Sequence, residues 1–206
     1  SQAPVGVIRL GRLVLLAVPG EMTSQLGLPL KDRVRKMGNA HPIIAGLANA
    51  GTLSGLTELD LSGTLVTDAG LATVENFTCL RYLNLSGTRV TDAGLVRLQG
   101  LTELWRLDLS DTQVSDTGLG HLRGLSEVSW LRVSGTRVTD AGLESLKSLT
   151  YLRDLNLSRT QITGAGLGHL EGLTSLDGLD LSGTRVGDAQ LEALTSLTSL
   201  DQLRLG

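Results

Sequence analysis

Leucine returns at intervals of 24 residues along most of this 206-residue chain, without a slip in register. The first column of this period consists of Leu59, Leu83, Leu107, Leu131, Leu155, Leu179 and Leu203. The unit reads LxxLxLSGTxVTDAGLxxLxxLTx, and full copies begin at Leu56, Leu80, Leu104, Val128, Leu152 and Leu176, with a seventh opening at Leu200. A fixed period of this length is typical of solenoids, in which each unit buries its apolar side chains against its neighbours.

Each repeat divides into a strand half and a helix half. The LxL segment alternates with period two, which predicts a short strand whose backbone hydrogen bonds are completed by the neighbouring copies. In the second half, Thr67 is placed to cap a helix, with Asp68 in its first turn. Leu71, Val74 and Phe77 then follow at intervals of three, which suits a short helix. Because strands pack more closely than helices, the stack must curve with its strands on the concave side.

A threonine after each strand repeats with the same period. This column consists of Thr64, Thr88, Thr112, Thr136, Thr160 and Thr184. Together with TDAGL segments such as Thr91 to Leu95 and Thr139 to Leu143, the repeats resemble the leucine-rich repeat family. The resemblance implies an α/β fold, a right-handed solenoid in a horseshoe arc with parallel strands on the concave face and short helices on the convex face. Members usually carry Cys or Asn at the threonine position, bonded to turn backbone, and a hydroxyl can do the same. We therefore interpret the column as structural rather than catalytic.

Composition excludes several other classes of protein. The chain contains 45 Leu, is 41% apolar and has a formal net charge of −3, with a pI near 5.6. The apolar share suffices for a core and excludes disorder, and no apolar run is long enough to span a membrane. Without a positive overall charge, we expect neither nucleic acid nor membrane as a partner. The lone Cys79 excludes an intrachain disulfide and a cysteine-based metal cluster.

Residues 1–50 do not follow the period, and we predict that they form an N-terminal cap on a solenoid of residues 51–206. Their pattern predicts two apolar strands around Gly11 and Arg12, followed by a helix from Thr23 to Met37, which makes a small α+β element. A signal peptide over residues 9–20 is the alternative, but that run ends on PGEM rather than on a small-residue cleavage site. We expect the cap to cover the apolar side chains of the first repeat.

The VPGE of Val18 to Glu21 and the GLAN of Gly46 to Asn49 resemble a late segment of the neutral ceramidase catalytic domain. That resemblance implies an exported bacterial protein, a strand at GLAN, and a zinc ligand at the glutamate. Two histidines and a tyrosine complete the zinc site in the family, and only Glu21 of this set has a counterpart here. Because catalytic zinc needs three protein ligands, we expect no metal, no cofactor and no enzymatic activity in this chain. A shift by 24 residues instead aligns residues 45–55 with the first helix, and we favour a helix there.

The concave columns carry the side chains best suited to binding. Residues beside each strand leucine project from this face, and the largest are concentrated in the middle repeats. The predicted patch consists of Tyr82, Arg106, Trp130 and Arg132, with Trp105 at its edge, and it is flanked by Asp60, Asp108 and Asp180. Aromatic residues and arginine are enriched in protein-binding hot spots. The alternative is an ordinary surface in which Arg106 pairs with Asp108 or Asp154 and the aromatic rings pack on neighbouring side chains.

No motif for catalysis accompanies this patch. The sequence has no GxxxxGK[ST] phosphate loop, no HExxH zinc motif and no GxSxG nucleophile elbow. His121 and His169 fall on the helix side, away from the serines at the strand ends and too far apart to share a metal. The leading interpretation is a non-catalytic module that binds a protein or peptide on its concave face. The alternatives are an accessory part of a ceramidase-like zinc amidohydrolase and a purely architectural repeat.

The last repeat carries no polar closing element, since it ends on Leu203 to Gly206. This pattern predicts either an exposed final strand or a segment of a longer array. An exposed sheet edge is also a route to self-association.

Overall fold

The computed structural model describes residues 55–206 and the backbone of two short strands earlier in the chain, β1 (Ile8–Arg9) and β2 (Val14–Leu15). One strand follows per repeat, and these strands are β3 (Glu58–Asp60), β4 (Tyr82–Asn84), β5 (Arg106–Asp108), β6 (Trp130–Arg132), β7 (Asp154–Asn156), β8 (Gly178–Asp180) and β9 (Gln202–Arg204). They lie parallel and in chain order, with Leu59 opposite Leu83 and each later strand leucine opposite its counterpart 24 residues on. The period read from the sequence is therefore the register of the sheet.

The two early strands extend this sheet beyond the first repeat. Strand β1 pairs antiparallel with β2 and parallel with β3, which places Ile8 opposite Leu59. The strand pair predicted around Gly11 and Arg12 is confirmed, and β3 has a neighbour on each side. Glu21, the helix predicted over residues 23–37 and residues 45–54 lie outside the described residues, so the choice between helix and strand at GLAN stays a prediction.

The opposite side of the stack consists of short helical segments. Three are α-helical, α1 (Asp68–Val74), α2 (Asp92–Leu95) and α3 (Asp116–Gly120), and four are 3-10 helices, Val96–Leu98, Asp140–Ser148, Leu167–Leu170 and Asp188–Leu194. The sequence predicts a short helix in each repeat, which the structure confirms, but the change to 3-10 geometry in the later repeats was not foreseen.

The core runs as a continuous apolar column between strands and helices. The strand leucines from Leu59 to Leu179 are at most 2% exposed, and Leu71 and Val74 of α1 are completely buried. Phe77, which follows α1, is 4% exposed. All three helix-side residues predicted from the spacing thus face the core, and the aliphatic side chains point inward as the period requires.

The threonine column holds the turns that follow the strands. Each hydroxyl donates to the carbonyl oxygen three residues earlier at 2.6 Å, as Thr88 does to Leu85 and Thr136 to Val133. The same bond recurs at Thr64, Thr112, Thr160 and Thr184. The structural interpretation of these threonines is confirmed.

A second column of hydrogen bonds joins one helical segment to the next. The backbone N–H of Thr139 donates to Oδ1 of Asp116 at 2.8 Å, and its hydroxyl donates to Oδ2 at 2.6 Å. We call this arrangement the aspartate ladder, and its members are Asp68, Asp92, Asp116 and Asp140, bonded to Thr91, Ser115, Thr139 and Thr163 respectively. The sequence pattern of one repeat predicts Asp68 only in the first turn of its own helix. Its carboxylate in fact bonds the following repeat.

The final strand is exposed in this chain, and the choice between a free edge and a segment of a longer array stays a prediction. Every residue of β9 is exposed, with Leu203 40% and Leu205 45% accessible to solvent. Self-association through this edge stays a prediction.

Candidate binding face

The register of the sheet brings the predicted patch together. Tyr82 lies opposite Arg106 on the next strand, and Arg106 lies opposite Trp130 on the one after. Arg132 follows Trp130 by two residues on β6, so alternation along the strand places it on the same face. Four side chains from three adjacent strands therefore meet at the centre of the concave face.

These side chains form a stack of arginines and aromatic rings. The guanidinium carbon of Arg106 lies 3.8 Å from the centre of the Trp130 ring and 5.3 Å from that of Tyr82. The guanidinium carbon of Arg132 lies 4.1 Å from the Trp130 ring centre. Both guanidinium groups therefore lie over the indole ring of Trp130, whose negative face attracts cations. We call Tyr82, Arg106, Trp130 and Arg132 the arginine–aromatic stack.

Trp105 lies outside this stack. Its side chain is 45% exposed and makes no cation–ring contact in the described part of the chain. Its carbonyl oxygen accepts hydrogen bonds from the N–H groups of Ser129 and Trp130. Trp105 thus adjoins the stack through backbone, while its ring stays at the edge.

The ion pairs considered for Arg106 are not formed. Across residues 55–206, no carboxylate lies within 4.0 Å of its guanidinium, and its Nε is buried without a hydrogen-bond partner. Asp108 instead accepts the backbone N–H of Ser110 at 2.9 Å. The pairing alternative is wrong, because ring faces on both neighbouring strands hold the guanidinium away from these acids. The packing of rings on neighbouring side chains is correct.

Burial changes the ionisation of two groups on this face. Burial raises the pKa of Asp154 above its ordinary value, although Arg132, Arg204 and Arg106 act in the opposite direction. Burial also raises the pKa of the Tyr82 hydroxyl, against a hydrogen bond with Asn84 that acts to lower it. The carboxylate of Asp154 makes no ion pair or hydrogen bond within the described residues, so it is half-buried without a fixed partner.

A polar hollow beside the stack is a feature that the sequence pattern does not predict. Gly178 is one of its lining residues, at a position where the other repeats carry larger side chains. Its lining consists of Arg132, Asp154, Leu155, Asn156, Gly178, Leu179, Asp180, Gln202 and Arg204. The sequence signal that could have indicated this hollow is the glycine at position 178. The hollow extends the candidate face from the stack toward β9.

The two histidines lie on the helix side, as predicted from the spacing. His121 follows α3, with its Nδ1 3.5 Å from Nε2 of Gln99, and His169 lies in the helix Leu167–Leu170. Among the residues that the structure describes, no three His, Cys, Asp or Glu side chains are grouped to hold a metal ion. No helix in that same portion is long and apolar enough to cross a bilayer.

Comparison with known proteins supports the fold and limits the ceramidase resemblance. A family model described as "Leucine-rich repeat region" matches residues 33–206. Among solved structures, internalin C2 of Listeria monocytogenes is 25% identical with a TM-score of 0.66, over 78% of this chain and 66% of that one. An internalin (inlF) of the same species is 24% identical with a TM-score of 0.64, over 78% of this chain and 51% of that one. The solenoid fold is confirmed.

The curated relatives match over a short segment. Neutral ceramidase 2 of Arabidopsis thaliana is 38% identical over 59 residues, which are 24% of this chain and 8% of that protein. Neutral ceramidase of Oryza sativa subsp. japonica is 41% identical over 56 residues, 23% of this chain and 7% of that protein. The chain thus spans only a small part of these relatives, while its family and its structural neighbours point to a non-enzymatic repeat protein.

Proposed function

Since this chain belongs to the leucine-rich repeat family, we propose that it is a non-catalytic interaction module whose concave face binds a protein or peptide. The observation that carries the proposal is the arginine–aromatic stack. Arg106 and Arg132 lie 3.8 Å and 4.1 Å from the ring centre of Trp130, on the face that the fold leaves open. Arginine and tryptophan are the residue types most enriched among binding hot spots.

The stack departs from the repeat pattern in a way that supports binding. Positions that hold the solenoid together keep the same residue type from copy to copy, as the threonine column does. The column before the strand leucines instead changes from Tyr82 to Arg106 to Trp130. Large half-exposed side chains that make no repeated structural contact are available to a partner, and their stacking reduces the entropy lost when a partner binds.

Substitution of the stack separates binding from stability. We expect Trp130→Ala or Arg106→Ala to weaken the binding of a partner by about 2 kcal/mol and to leave the melting temperature of the chain nearly unchanged. Partners recovered from a native lysate on the immobilised chain, and then titrated against each variant, provide the measurement. Tyr151→Ala is the matched control, because this aromatic side chain is 61% exposed and lies away from the stack. Unaltered recovery by both stack variants contradicts the proposal.

The short ceramidase matches favour a second candidate, an accessory part of a ceramidase-like zinc amidohydrolase. Residues 55–206 do not fit a catalytic zinc site, because they place no group of three potential ligands together. Metal analysis of the purified chain discriminates the two candidates. Stoichiometric zinc supports the hydrolase part, whereas the interaction module requires none.

We also propose that residues 1–50 act as the N-terminal cap of the solenoid formed by residues 51–206. The pairing of β1 with β3 supports this role, since Ile8 continues the sheet next to Leu59. Repeat stacks need such an element because their first unit otherwise leaves one side exposed.

A further inference from the structure

The arginines of the stack are held in place with their hydrogen-bond donors unused. Within residues 55–206, neither guanidinium forms an ion pair or donates a hydrogen bond, and the Nε of Arg106 is buried without an acceptor. With aromatic rings against their faces, the guanidinium groups can donate only in their own planes. A carboxylate is the acceptor whose two oxygens match this fork.

Acidic side chains lie on both sides of this cationic centre. Strand β3 contributes the exposed Glu58 together with Asp60, two strands before Arg106. On the other side, Asp154 of β7 lines the hollow, and its carboxylate has no hydrogen bond or ion pair within the described residues. Asp180 of β8 is already paired, because it accepts a hydrogen bond from Asn156 and lies 3.9 Å from Arg204 of β9. From β3 to β7 the concave face is therefore negative, then positive, then negative. Asp108 is less accessible to a partner than the flanking acids, since it is buried with 9% exposure, whereas Arg132 at the centre is exposed.

This charge order disfavours a polyanion. A nucleic acid or polyphosphate would bring negative charge over Glu58, Asp60, Asp154 and Asp180 as well as over the arginines. An isolated carboxylate with basic neighbours meets favourable charges at all three places, which is the complementarity that sets specificity in protein interfaces.

We propose that the partner, on the binding function proposed above, is an extended peptide segment with one acidic residue over Arg106 and Arg132 and a basic residue on either side. Neighbouring strands lie about 4.8 Å apart, so Glu58 on β3 and Asp154 on β7 are each roughly 10 Å from Arg106 on β5, two strands away. An extended peptide advances about 3.3 Å per residue, so three residues cover this distance. The order Lys-x-x-Glu-x-x-Lys fits the face.

A designed peptide tests this order. The probe is acetylated Lys-Gly-Gly-Glu-Gly-Gly-Lys amide, and its permuted control is Glu-Gly-Gly-Lys-Gly-Gly-Lys, which has the same composition and net charge. Titration followed through the indole and arginine N–H signals of the labelled chain measures both affinities. We expect saturable binding of the probe, about tenfold weaker binding of the control, and shifts in the Arg106 and Arg132 signals.

Variants assign the binding to the stack. Arg106→Gln removes a charge-assisted donor, and we expect it to weaken binding of the probe about tenfold. Arg185→Gln is the matched control, because Arg185 is exposed, makes no side-chain contact in the described part of the chain and is in the turn after Thr184. Equal binding of the probe and its permuted control overturns the inference, as does an Arg106→Gln variant that binds the probe normally. Tighter binding of an oligothymidylate than of the probe also overturns it.

The result separates this inference from the function on which it rests. If Trp130→Ala loses a lysate partner while the probe fails to bind, the charge order is wrong and the binding function stands. If both stack variants recover their partners unchanged, the binding function itself fails, whatever the probe does.

Discussion

The aspartate ladder on the helix side and the arginine–aromatic stack on the concave face differ in how they use the 24-residue period. In the ladder, the same residue types recur and each carboxylate bonds the following repeat, as Asp92 bonds Ser115 at 2.7 Å. In the stack, the residue type changes at every step and the contacts are between neighbouring side chains of different kinds. Residues that keep the period hold the solenoid together, and residues that break it on an open face are available for a partner.

The aspartate ladder is interrupted at position 164, and this interruption shows that the aspartate and glycine positions of neighbouring repeats depend on each other. At Gly94, Gly118 and Gly142 the carboxylate of the preceding ladder aspartate occupies the space of a side chain, so that a Cβ atom at Gly142 would overlap Asp116. At the next-to-last step the aspartate is replaced by Gly164, with a φ of 94°. Gln190 then takes the glycine position, and its Oε1 accepts the N–H of Gly187 at 3.2 Å. Loss of the carboxylate and gain of a side chain thus occur together.

The largest effect on stability is expected in the middle of the ladder. Asp116→Ala leaves the N–H and hydroxyl of Thr139 without their acceptors, which costs about 3 kcal/mol of unfolding free energy because both bonds are to a charged group. Urea unfolding measures this loss, and partner binding on the concave face should be unchanged.

Asp188→Ala is the matched control for this variant. Asp188 occupies the ladder position of the last helix, is exposed and makes no side-chain contact within residues 55–206. Its removal is expected to cost less than about 0.5 kcal/mol, as at most surface positions. A cost for Asp116→Ala no greater than that for Asp188→Ala would show that the ladder does not stabilise the stack of repeats.

A smaller effect is expected where the ladder is broken. A Cβ atom at Gly164 would lie 2.6 Å from that of Gln190, so Gly164→Asp is expected to destabilise by about 2 kcal/mol. Gln190→Gly removes the obstruction and restores the arrangement of the earlier repeats. In the double variant we expect a cost lower than the sum of the single costs by more than about 1 kcal/mol. Simple additivity in urea unfolding would mean that the two positions are not coupled.

Much of the fold follows from the sequence because the leucine period is also the strand register. The inward position of Leu71 and the turn bond of Thr88 could be predicted from one repeat, since each depends on residues a few positions away. The ladder could not be read from one repeat, because Asp116 and Thr139 meet only when two repeats stack. Its sequence signal is the joint change at positions 164 and 190, which becomes meaningful once the contact is known.

The candidate site was predictable in composition but not in its contacts. Tyr82, Arg106 and Trp130 occupy the same position of successive 24-residue repeats, which predicts that they are neighbours, and the strand register places them on adjacent strands. One interpretation of the sequence pairs Arg106 with Asp108 or Asp154, whereas in the structure its guanidinium contacts the rings of Tyr82 and Trp130. The sequence could not decide between these contacts, because distances within a face depend on how the side chains pack. The binding role of these residues stays a prediction.

The smallest of the three effects concerns pH and the last member of the ladder. Burial acts to raise the pKa of Asp140, but hydrogen bonds donated by Thr163, Gly166 and Gly164 outweigh it and hold the pKa below its ordinary value. Because the folded-state pKa is lower than the unfolded value of about 3.9, Asp140 contributes stability above that value. This contribution is lost as the pH falls through the folded-state pKa.

Asp140→Asn tests this contribution, because the variant keeps an acceptor oxygen and has no charge to lose. At neutral pH we expect it to be less stable than the parent protein, and the two unfolding free energies should converge as the pH falls below the unfolded pKa of about 3.9 and through the folded-state pKa. Urea unfolding at several pH values gives both curves, with Asp188→Asn as the control at an exposed ladder position. Parallel curves for Asp140→Asn and the parent would assign the acid sensitivity of the solenoid to other carboxylates, and the ladder would then act through geometry rather than through charge.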